Sequence, residues 1–149
     1  MKAVVTRVNS ASVEIEEKIN GSIGRGFLVL LGIAPDDTES DVEILAEKIC
    51  NCRIFSDEKG KMNLNLETVG GSLLVISQFT LFADLKSRRP SFSGAGKPSM
   101  AIPLYEKFLE LCRLKGFVVQ HGEFGADMKV VSENDGPVTL IFDTSEWRK

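Results

Sequence analysis

Two apolar runs near the C-terminus are joined by Asn134-Asp135-Gly136-Pro137-Val138-Thr139, and this junction constrains the fold more than any other feature. The flanking runs, 128–132 and 138–142, are rich in β-branched and apolar residues, which predicts strands. Glycine tolerates backbone angles that other residues avoid, and proline is the residue that takes a cis peptide bond at a cost of only about 0.5–1 kcal/mol. The junction therefore predicts a tight corner, which is either a plain hairpin turn or a rigid element that holds bare carbonyl oxygens at fixed angles.

Size and composition are those of an ordinary globular chain. The 149 residues fit one domain, 1–149, and the apolar content of 43% and charged content of 26% are typical of such domains. A net charge of -3 gives no overall attraction to nucleic acid or acidic membranes, so RNA contact requires a local basic patch. No apolar run approaches the roughly 20 residues that span a bilayer, and Arg7 comes too early for a signal peptide. We therefore expect a cytoplasmic protein without a membrane partner.

The cysteine and histidine content argues against several kinds of site. Three cysteines, an odd number, do not form a disulfide framework, and His121 is the only histidine, which argues against zinc. The chain has neither a Gly-x-Ser-x-Gly elbow nor a phosphate-binding loop of the Walker type. We expect no metal and no cofactor. Any hydrolysis would depend on positioning and oxyanion stabilisation more than on a charged side-chain base.

Apolar periodicity predicts many strands and two helices. Strands are expected at 2–8, 12–17, 27–33, 54–55, 72–82, 117–120, 128–132 and 138–142, with a tight turn at Asn20-Gly21. One helix is expected to begin after a capping segment at 38–41 and to end near 51–53, and the other to run from about 99 to 115. The pattern indicates a mixed α/β fold, an antiparallel-rich β-barrel or sandwich with the two main helices packed outside.

The segment Ser77-Gln78-Phe79-Thr80-Leu81 places hydroxyl and amide groups at the end of an apolar strand. Strand alternation would put Ser77 and Phe79 on one face and Gln78 and Thr80 on the other. Taken alone, the segment fits an edge strand with its polar side chains outward. Polar donors at a strand end, followed by a basic loop, also suit an ester carbonyl beside a phosphate backbone.

The loop at 83–98 concentrates positive charge. It carries Lys86, Arg88, Arg89 and Lys97 against Asp84 alone. These side chains are either solvated surface charges or contacts to the phosphates of a nucleic acid. Their position beside the polar strand end of an acidic chain favours the second interpretation.

The chain resembles the D-aminoacyl-tRNA deacylases, the D-tyrosyl-tRNA deacylase family, nearly from end to end. The most specific marks are the segments 77–81 and 134–139, and further matching stretches are Arg53-Ile54-Phe55, Gly60-Lys61-Met62-Asn63, Arg88-Arg89-Pro90-Ser91-Phe92 and Phe124-Gly125-Ala126-Asp127-Met128. The resemblance implies a homodimer that hydrolyses the ester between a D-amino acid and the terminal adenosine of tRNA, with each active site at the subunit interface. It also implies the fold of that family.

The resemblance assigns roles to matching positions of this chain. The pocket segment that contacts the adenosine and the scissile ester would be Ser77, Gln78, Phe79 and Thr80. Gly136 and Pro137 would enter the pocket of the other subunit, and Arg7 would help to hold them there. Ala126 and Met128 would lie near the pocket wall, and the basic side chains Lys86, Arg88, Arg89 and Lys97 would contact the tRNA backbone.

These roles lead to a hypothesis of chiral selection by main chain. The carbonyls of Gly136 and Pro137 would grip the α-amino group of the substrate and fill the space that an L side chain needs. A D side chain would point outward, and glycine, including glycine mischarged on tRNA-Ala, would be accepted. The role of Thr80 as nucleophile or positioning residue stays open, as do the cis state of Pro137 and the preferred D-amino acid. A small-molecule ester hydrolase and a non-catalytic RNA-binding module are the rival interpretations.

Overall fold

The structure, a computed structural model, describes residues 1–148. The strands are β1 Lys2–Ile15, β2 Lys18–Ile23, β3 Gly26–Gly32, β4 Phe55–Ser56, β5 Met62–Leu64, β6 Ser72–Ser77, β7 Val119–His121 and β8 Lys129–Asp143. The α-helices are α1 Glu39–Cys50 and α2 Pro98–Leu114, and short 3₁₀ helices span Phe79–Phe82 and Thr144–Trp147. Within residues 1–148, no helix has the length and apolar character needed to cross a membrane.

Six strands form one sheet around the long strand β1. The strand order is β2-β1-β3-β6-β7, and β8 also pairs with β1. The first half of β1 pairs antiparallel with β3 and its second half with β2, while β8 follows β1 along almost its whole length. The contacts of β3 with β6 and of β6 with β7 are parallel. The sheet is therefore barrel-like and mixed, and the expected mixed α/β class with two helices packed against it is confirmed.

Apolar residues fill both faces of this sheet. The larger core lies between the sheet and the two helices, and includes Phe27 of β3, Phe108 of α2 and Leu45 of α1. A smaller cluster on another face joins Val8, Leu74 and neighbouring side chains. Because β3 is covered on both faces, it carries the unbroken apolar run that the sequence showed.

The first helix begins as its sequence indicates. The Thr38 N–H donates to the Asp41 carboxylate at 2.9 Å, and this pair forms a capping box around the first turn. Capping satisfies backbone groups that have no partner inside the helix. The second helix runs from Pro98 to Leu114, close to the expected bounds.

The predicted break inside the first hairpin was wrong. A single strand of 14 residues, β1, replaces the two expected strands, and the turn lies at Glu16 and Glu17, whose φ angles are 50° and 66°. Asn20-Gly21 lies inside β2, where the Asn20 side-chain amide donates to the carbonyl of His121 at 2.6 Å. Asn20-Gly21 therefore contacts β7 and does not form a turn.

The predicted strand over 72–82 was too long. Strand β6 ends at Ser77, and the chain turns into the 3₁₀ helix Phe79–Phe82. The predicted alternation of side chains between two faces therefore does not extend through 77–81, because these residues leave the strand after Ser77. Sequence periodicity missed this turn because apolar residues at Phe79, Leu81 and Phe82 fit a strand equally well.

The junction at Gly136-Pro137 is not a hairpin corner. Strand β8 passes through it without reversing, and both halves pair with β1. Thr139 faces Thr6 and Asn134 faces Val8, so residues 135–138 bulge outward opposite Arg7 alone. A bulge of this kind redirects the backbone while the flanking ladder keeps its pairing.

Candidate active site

A cleft of about 1030 Å³ opens at the end of β6. Its walls come from the strand end, the loop before α2, the first residues of α2 and the segment between β7 and β8. Of the positions singled out in the sequence, it brings together Ser77, Gln78, Phe79, Lys97, Ala126 and Met128. The other positions singled out in the sequence do not line the cleft: Thr80, Arg7, Gly136, Pro137, Lys86, Arg88 and Arg89.

The strand end presents two adjacent main-chain donors. The Gln78 N–H donates to the carbonyl of Leu31 at 2.8 Å, which anchors the segment to β3. The Leu81 N–H donates back to Gln78 at 3.2 Å and closes the 3₁₀ turn. The N–H groups of Phe79 and Thr80 precede the first hydrogen bond of this turn, and they find no acceptor within residues 1–148. Such unpaired N–H groups can stabilise an oxyanion.

The hydroxyl of Thr80 is held by a neutral group. Its partner is the side-chain amide of Gln78. An amide has no basic nitrogen in either orientation, so it cannot activate the hydroxyl as a nucleophile. Among the residues that line the cleft, Lys97 and Asp127 are those with ionisable side chains.

The wall that contains Ala126 and Met128 is fixed by packing on α2. Phe124 meets the ring of Tyr105 edge-to-face at 5.9 Å, and the Tyr105 hydroxyl donates to the carbonyl of Val75 at 2.9 Å. Burial raises the pKa of Tyr105, so its hydroxyl remains a donor. A Cβ on Gly122 would lie 2.3 Å from the sulfur of Met128, so any larger residue at position 122 would displace the Met128 side chain from this wall.

The bulge at Gly136-Pro137 is exposed, and its peptide bond is cis. Gly136 has φ 124°, a conformation that L side chains rarely adopt. Arg7, only 8% exposed, lies directly behind it. The guanidinium donates to the carbonyls of Ile54 at 2.5 Å and Asp135 at 3.3 Å, and it pairs with the Asp135 carboxylate at 3.1 Å. The bulge is thus braced from within.

The bulge and the cleft of the same chain lie apart. Val130 of β8 lines the cleft, and Gly136 lies six positions further along the chain. At about 3.4 Å per strand residue, the two are roughly 20 Å apart along the strand. The bulge therefore lies outside the cleft of its own chain.

The basic loop is an ordered projection beside the cleft. Asp84 and Ser91 exchange backbone hydrogen bonds of 2.7 and 3.1 Å, which makes 84–91 a hairpin. Its exposed tip carries Lys86, Arg88 and Arg89. Within residues 1–148, no carboxylate lies within ion-pair distance of these three cations or of Lys97. Their charge is therefore available to a ligand.

Several residues that line the cleft had not been singled out individually in the sequence as site residues, among them Phe92, Met100 and Phe124. Phe92 and Phe124 lie in stretches that carried the family resemblance, which was the available signal. Met100 belongs to the apolar face of α2, and its spacing resembles that of any core residue. Sequence periodicity does not show that the first turn of this helix borders a cleft.

Comparison with known proteins places the chain in a family. The family described as D-Tyr-tRNA(Tyr) deacylase matches residues 4–143. A D-aminoacyl-tRNA deacylase of Shewanella baltica (strain OS195) is 56% identical over 94% of this chain and 97% of its own. Its counterpart from Thermosipho africanus (strain TCF52B) is 52% identical over 98% of this chain and 99% of its own.

Two solved structures share the fold. One, titled c-Myc DNA Unwinding Element Binding Protein, has a TM-score of 0.90 and 41% identity, and covers 96% of this chain and 98% of its own. The other, of a probable eukaryotic D-amino acid tRNA deacylase, has a TM-score of 0.82 at 18% identity, with 95% and 97% covered. The chain therefore belongs to the D-Tyr-tRNA(Tyr) deacylase family, which confirms the resemblance and the hydrolase class expected from its two motifs.

Proposed function

We propose that this protein hydrolyses the ester bond of D-aminoacyl-tRNA and releases the free D-amino acid and tRNA. The observation that carries the proposal is a pair of adjacent unpaired N–H groups, one on Phe79, which lines a cleft of about 1030 Å³, and one on the next residue, Thr80. A cleft of this size can enclose a ligand as large as an aminoacyl-adenosine. Relatives that are 52–56% identical over nearly the whole chain carry the name of this activity.

The proposed selection for handedness comes from a second copy of the chain. In a homodimer, Gly136 and Pro137 of one subunit would enter the cleft of the other, with their carbonyls on the substrate α-amino group. Two facts support this arrangement: the bulge is exposed, and it lies roughly 20 Å along the strand from its own cleft. The contacts of Arg7 would keep the carbonyls in one place.

Main-chain atoms are suited to reject a stereoisomer. Side chains change rotamer readily, whereas a backbone held within a paired strand does not. An L side chain would then collide with the carbonyls of residues 136 and 137, while a D side chain would point outward. Glycine has no side chain to reject, so we also propose hydrolysis of glycine mischarged on tRNA-Ala. Steric exclusion can discriminate by more than the 1–3 kcal/mol or so that one methylene provides.

For the chemical step we propose attack by water on the ester carbonyl carbon. The N–H groups of Phe79 and Thr80 would stabilise the oxyanion, with help from Gln78. The carbon–oxygen bond to the ribose then breaks, and the ribose oxygen takes the proton that the attacking water gives up, with the neighbouring ribose hydroxyl assisting this transfer. Thr80 positions this machinery, since its hydroxyl accepts from the side-chain amide of Gln78, which is not a base.

The decisive experiment compares the hydrolysis of one tRNA charged with a D-amino acid, its L-enantiomer or glycine. We expect cleavage of the D and glycyl esters and little cleavage of the L ester. Rapid hydrolysis of the L ester would refute the main-chain filter. Simple D-amino acid esters serve as a control: their cleavage at the same efficiency would identify a small-molecule hydrolase, and tight tRNA binding without turnover would identify an RNA-binding module.

A further inference from the structure

Two aromatic rings form an exposed pair at the cleft. Phe79 is 55% exposed and Phe92 is 38% exposed, and their ring centroids lie 5.3 Å apart with an interplanar angle of 77°. Both residues line the cleft. In this edge-to-face arrangement each ring packs against the other, and both rings keep part of their surface exposed to solvent.

The backbone on either side holds Phe92 in place. The paired residues Asp84 and Ser91 close the basic hairpin directly before it, and its own carbonyl accepts from Ala95 at 3.1 Å. The Gly96 N–H then donates to Ile33 at 2.8 Å, which ties the loop to the end of β3. The ring is therefore presented by an ordered segment rather than by a mobile tip.

Charge complements this aromatic pair. The exposed cations Lys86, Arg88 and Arg89 occupy the hairpin that leads into Phe92, and Lys97 lines the same cleft. Aromatic rings beside unpaired cations are the combination that binds single-stranded nucleic acid, since bases stack on the rings and phosphates meet the cations. A purely apolar partner would leave these charges unmatched.

On the basis of the proposed function, we propose that Phe79 and Phe92 form a stacking platform for the base of the nucleotide that precedes the terminal adenosine. The terminal nucleoside and its ester occupy the cleft, so the RNA strand must leave past its mouth. There the next base is unpaired and can stack on an aromatic ring. Because every base has a π-face, the platform accepts this nucleotide without reading its identity.

The test varies the substrate and the enzyme together. The substrates are D-aminoacyl-tRNA with an ordinary penultimate nucleotide and the same tRNA with an abasic residue at that position. The enzymes are the full-length wild type, Phe92→Leu, which keeps an apolar side chain without a ring, and Phe92→Trp, which restores one. Phe79 is left intact because its N–H belongs to the proposed oxyanion site.

In the wild type we expect removal of the base to lower kcat/KM by about 5- to 150-fold, the equivalent of one base–aromatic stack. On the intact substrate, Phe92→Leu should lower kcat/KM by a comparable factor. On the abasic substrate, the kcat/KM of Phe92→Leu should be close to that of the wild type. Phe92→Trp should restore the wild-type kcat/KM on the intact substrate. Leu114→Ala is the matched control: this side chain is 74% exposed at the far end of α2, about 21 Å along the helix from Met100 at the cleft, and its loss should change neither value.

The outcomes separate the two proposals. An unchanged kcat/KM on the abasic substrate in the wild type would overturn the platform while leaving the deacylase intact. If Phe92→Leu lowered kcat/KM equally on both substrates, the platform would also be overturned, because the ring would then stabilise the fold or contact the amino acid of the substrate. Failure of the wild type to hydrolyse any D-aminoacyl-tRNA would refute the proposed function, and the platform with it.

Discussion

Replacement of Arg7 by methionine tests whether the buried guanidinium braces the bulge at Gly136-Pro137. Methionine keeps an unbranched apolar side chain of similar reach and removes the charge and the donors. We expect Arg7→Met to destabilise the fold and to weaken the discrimination between D- and L-aminoacyl-tRNA. The matched control is Asp135→Asn, which removes the carboxylate partner and leaves the arginine in place.

The size of the effect follows from the contacts. The 2.5 Å hydrogen bond to Ile54 is charged and buried, and such bonds contribute about 1.5–3 kcal/mol. The ion pair with Asp135 contributes about 0–1 kcal/mol, because that carboxylate is 36% exposed. The 3.3 Å contact with the Asp135 carbonyl exceeds the usual hydrogen-bond length and adds little. The expected loss is about 2–4 kcal/mol for Arg7→Met and at most about 1 kcal/mol for Asp135→Asn.

Urea denaturation of both variants measures these free energies of unfolding, and parallel deacylation of D- and L-charged tRNA measures selectivity at temperatures where the variants stay folded. If Arg7→Met were no less stable than Asp135→Asn, the buried hydrogen bond to Ile54 would not carry the energy assigned to it. If its stability fell but the D/L ratio of kcat/KM stayed at the wild-type value, Arg7 would support the fold without positioning the carbonyls.

Three further predictions concern the reaction, the RNA and the helix cap. Thr80→Ala should retain substantial kcat, because its hydroxyl has no base to activate it; loss of activity together with an acyl-enzyme trapped in the wild type would identify a nucleophile. Charge reversal at Arg88 and Arg89 should raise KM and flatten its salt dependence, and an unchanged slope in a salt titration would exclude tRNA docking there. Burial raises the pKa of Asp41, but hydrogen bonds from Thr38 and other donors outweigh it and bring the pKa below the ordinary value of about 3.9. Asp41→Asn should therefore cost about 1–2 kcal/mol in urea denaturation at pH 7, and this difference should shrink as the pH falls below about 4 and the wild-type carboxyl is protonated; a constant difference down to pH 2 would contradict the assignment.

Local patterns predicted those elements of the fold whose stability is itself local. The capping segment at 38–41 and the unbroken apolar run of β3 each signal one structure, and both were predicted correctly. The turn at Glu16-Glu17 was missed because two glutamates at positive φ carry no turn signature, whereas Asn20-Gly21 does. In the structure Asn20 contacts β7 instead, and this contact is with a residue 101 positions away.

The candidate site, like the fold, was predicted only in part. Segment 77–79 and residues Ala126 and Met128 line one cleft, whereas Thr80 of the same motif does not, and the sequence did not show that the strand stops at Ser77. Beyond Ser77 the chain closes a 3₁₀ turn through the hydrogen bond from Leu81 to Gln78, and apolar spacing does not distinguish such a turn from a continuing strand. The path of β8 was equally hidden, because a Gly-Pro pair fits a hairpin and a bulge alike until the register against β1 is known.

The groups proposed to act on the substrate are main-chain atoms: N–H groups at one end of the site and carbonyls at the other. A side-chain substitution at Phe79 or Pro137 alters them only through the backbone. The positions of these atoms depend instead on a few buried contacts, such as Arg7 behind the bulge and Tyr105 beneath the cleft wall. Substitution of these supporting residues should therefore change chiral selectivity more than substitution of polar side chains inside the cleft. The supporting residues fix the positions of the peptide groups, and a side-chain substitution does not remove a peptide group.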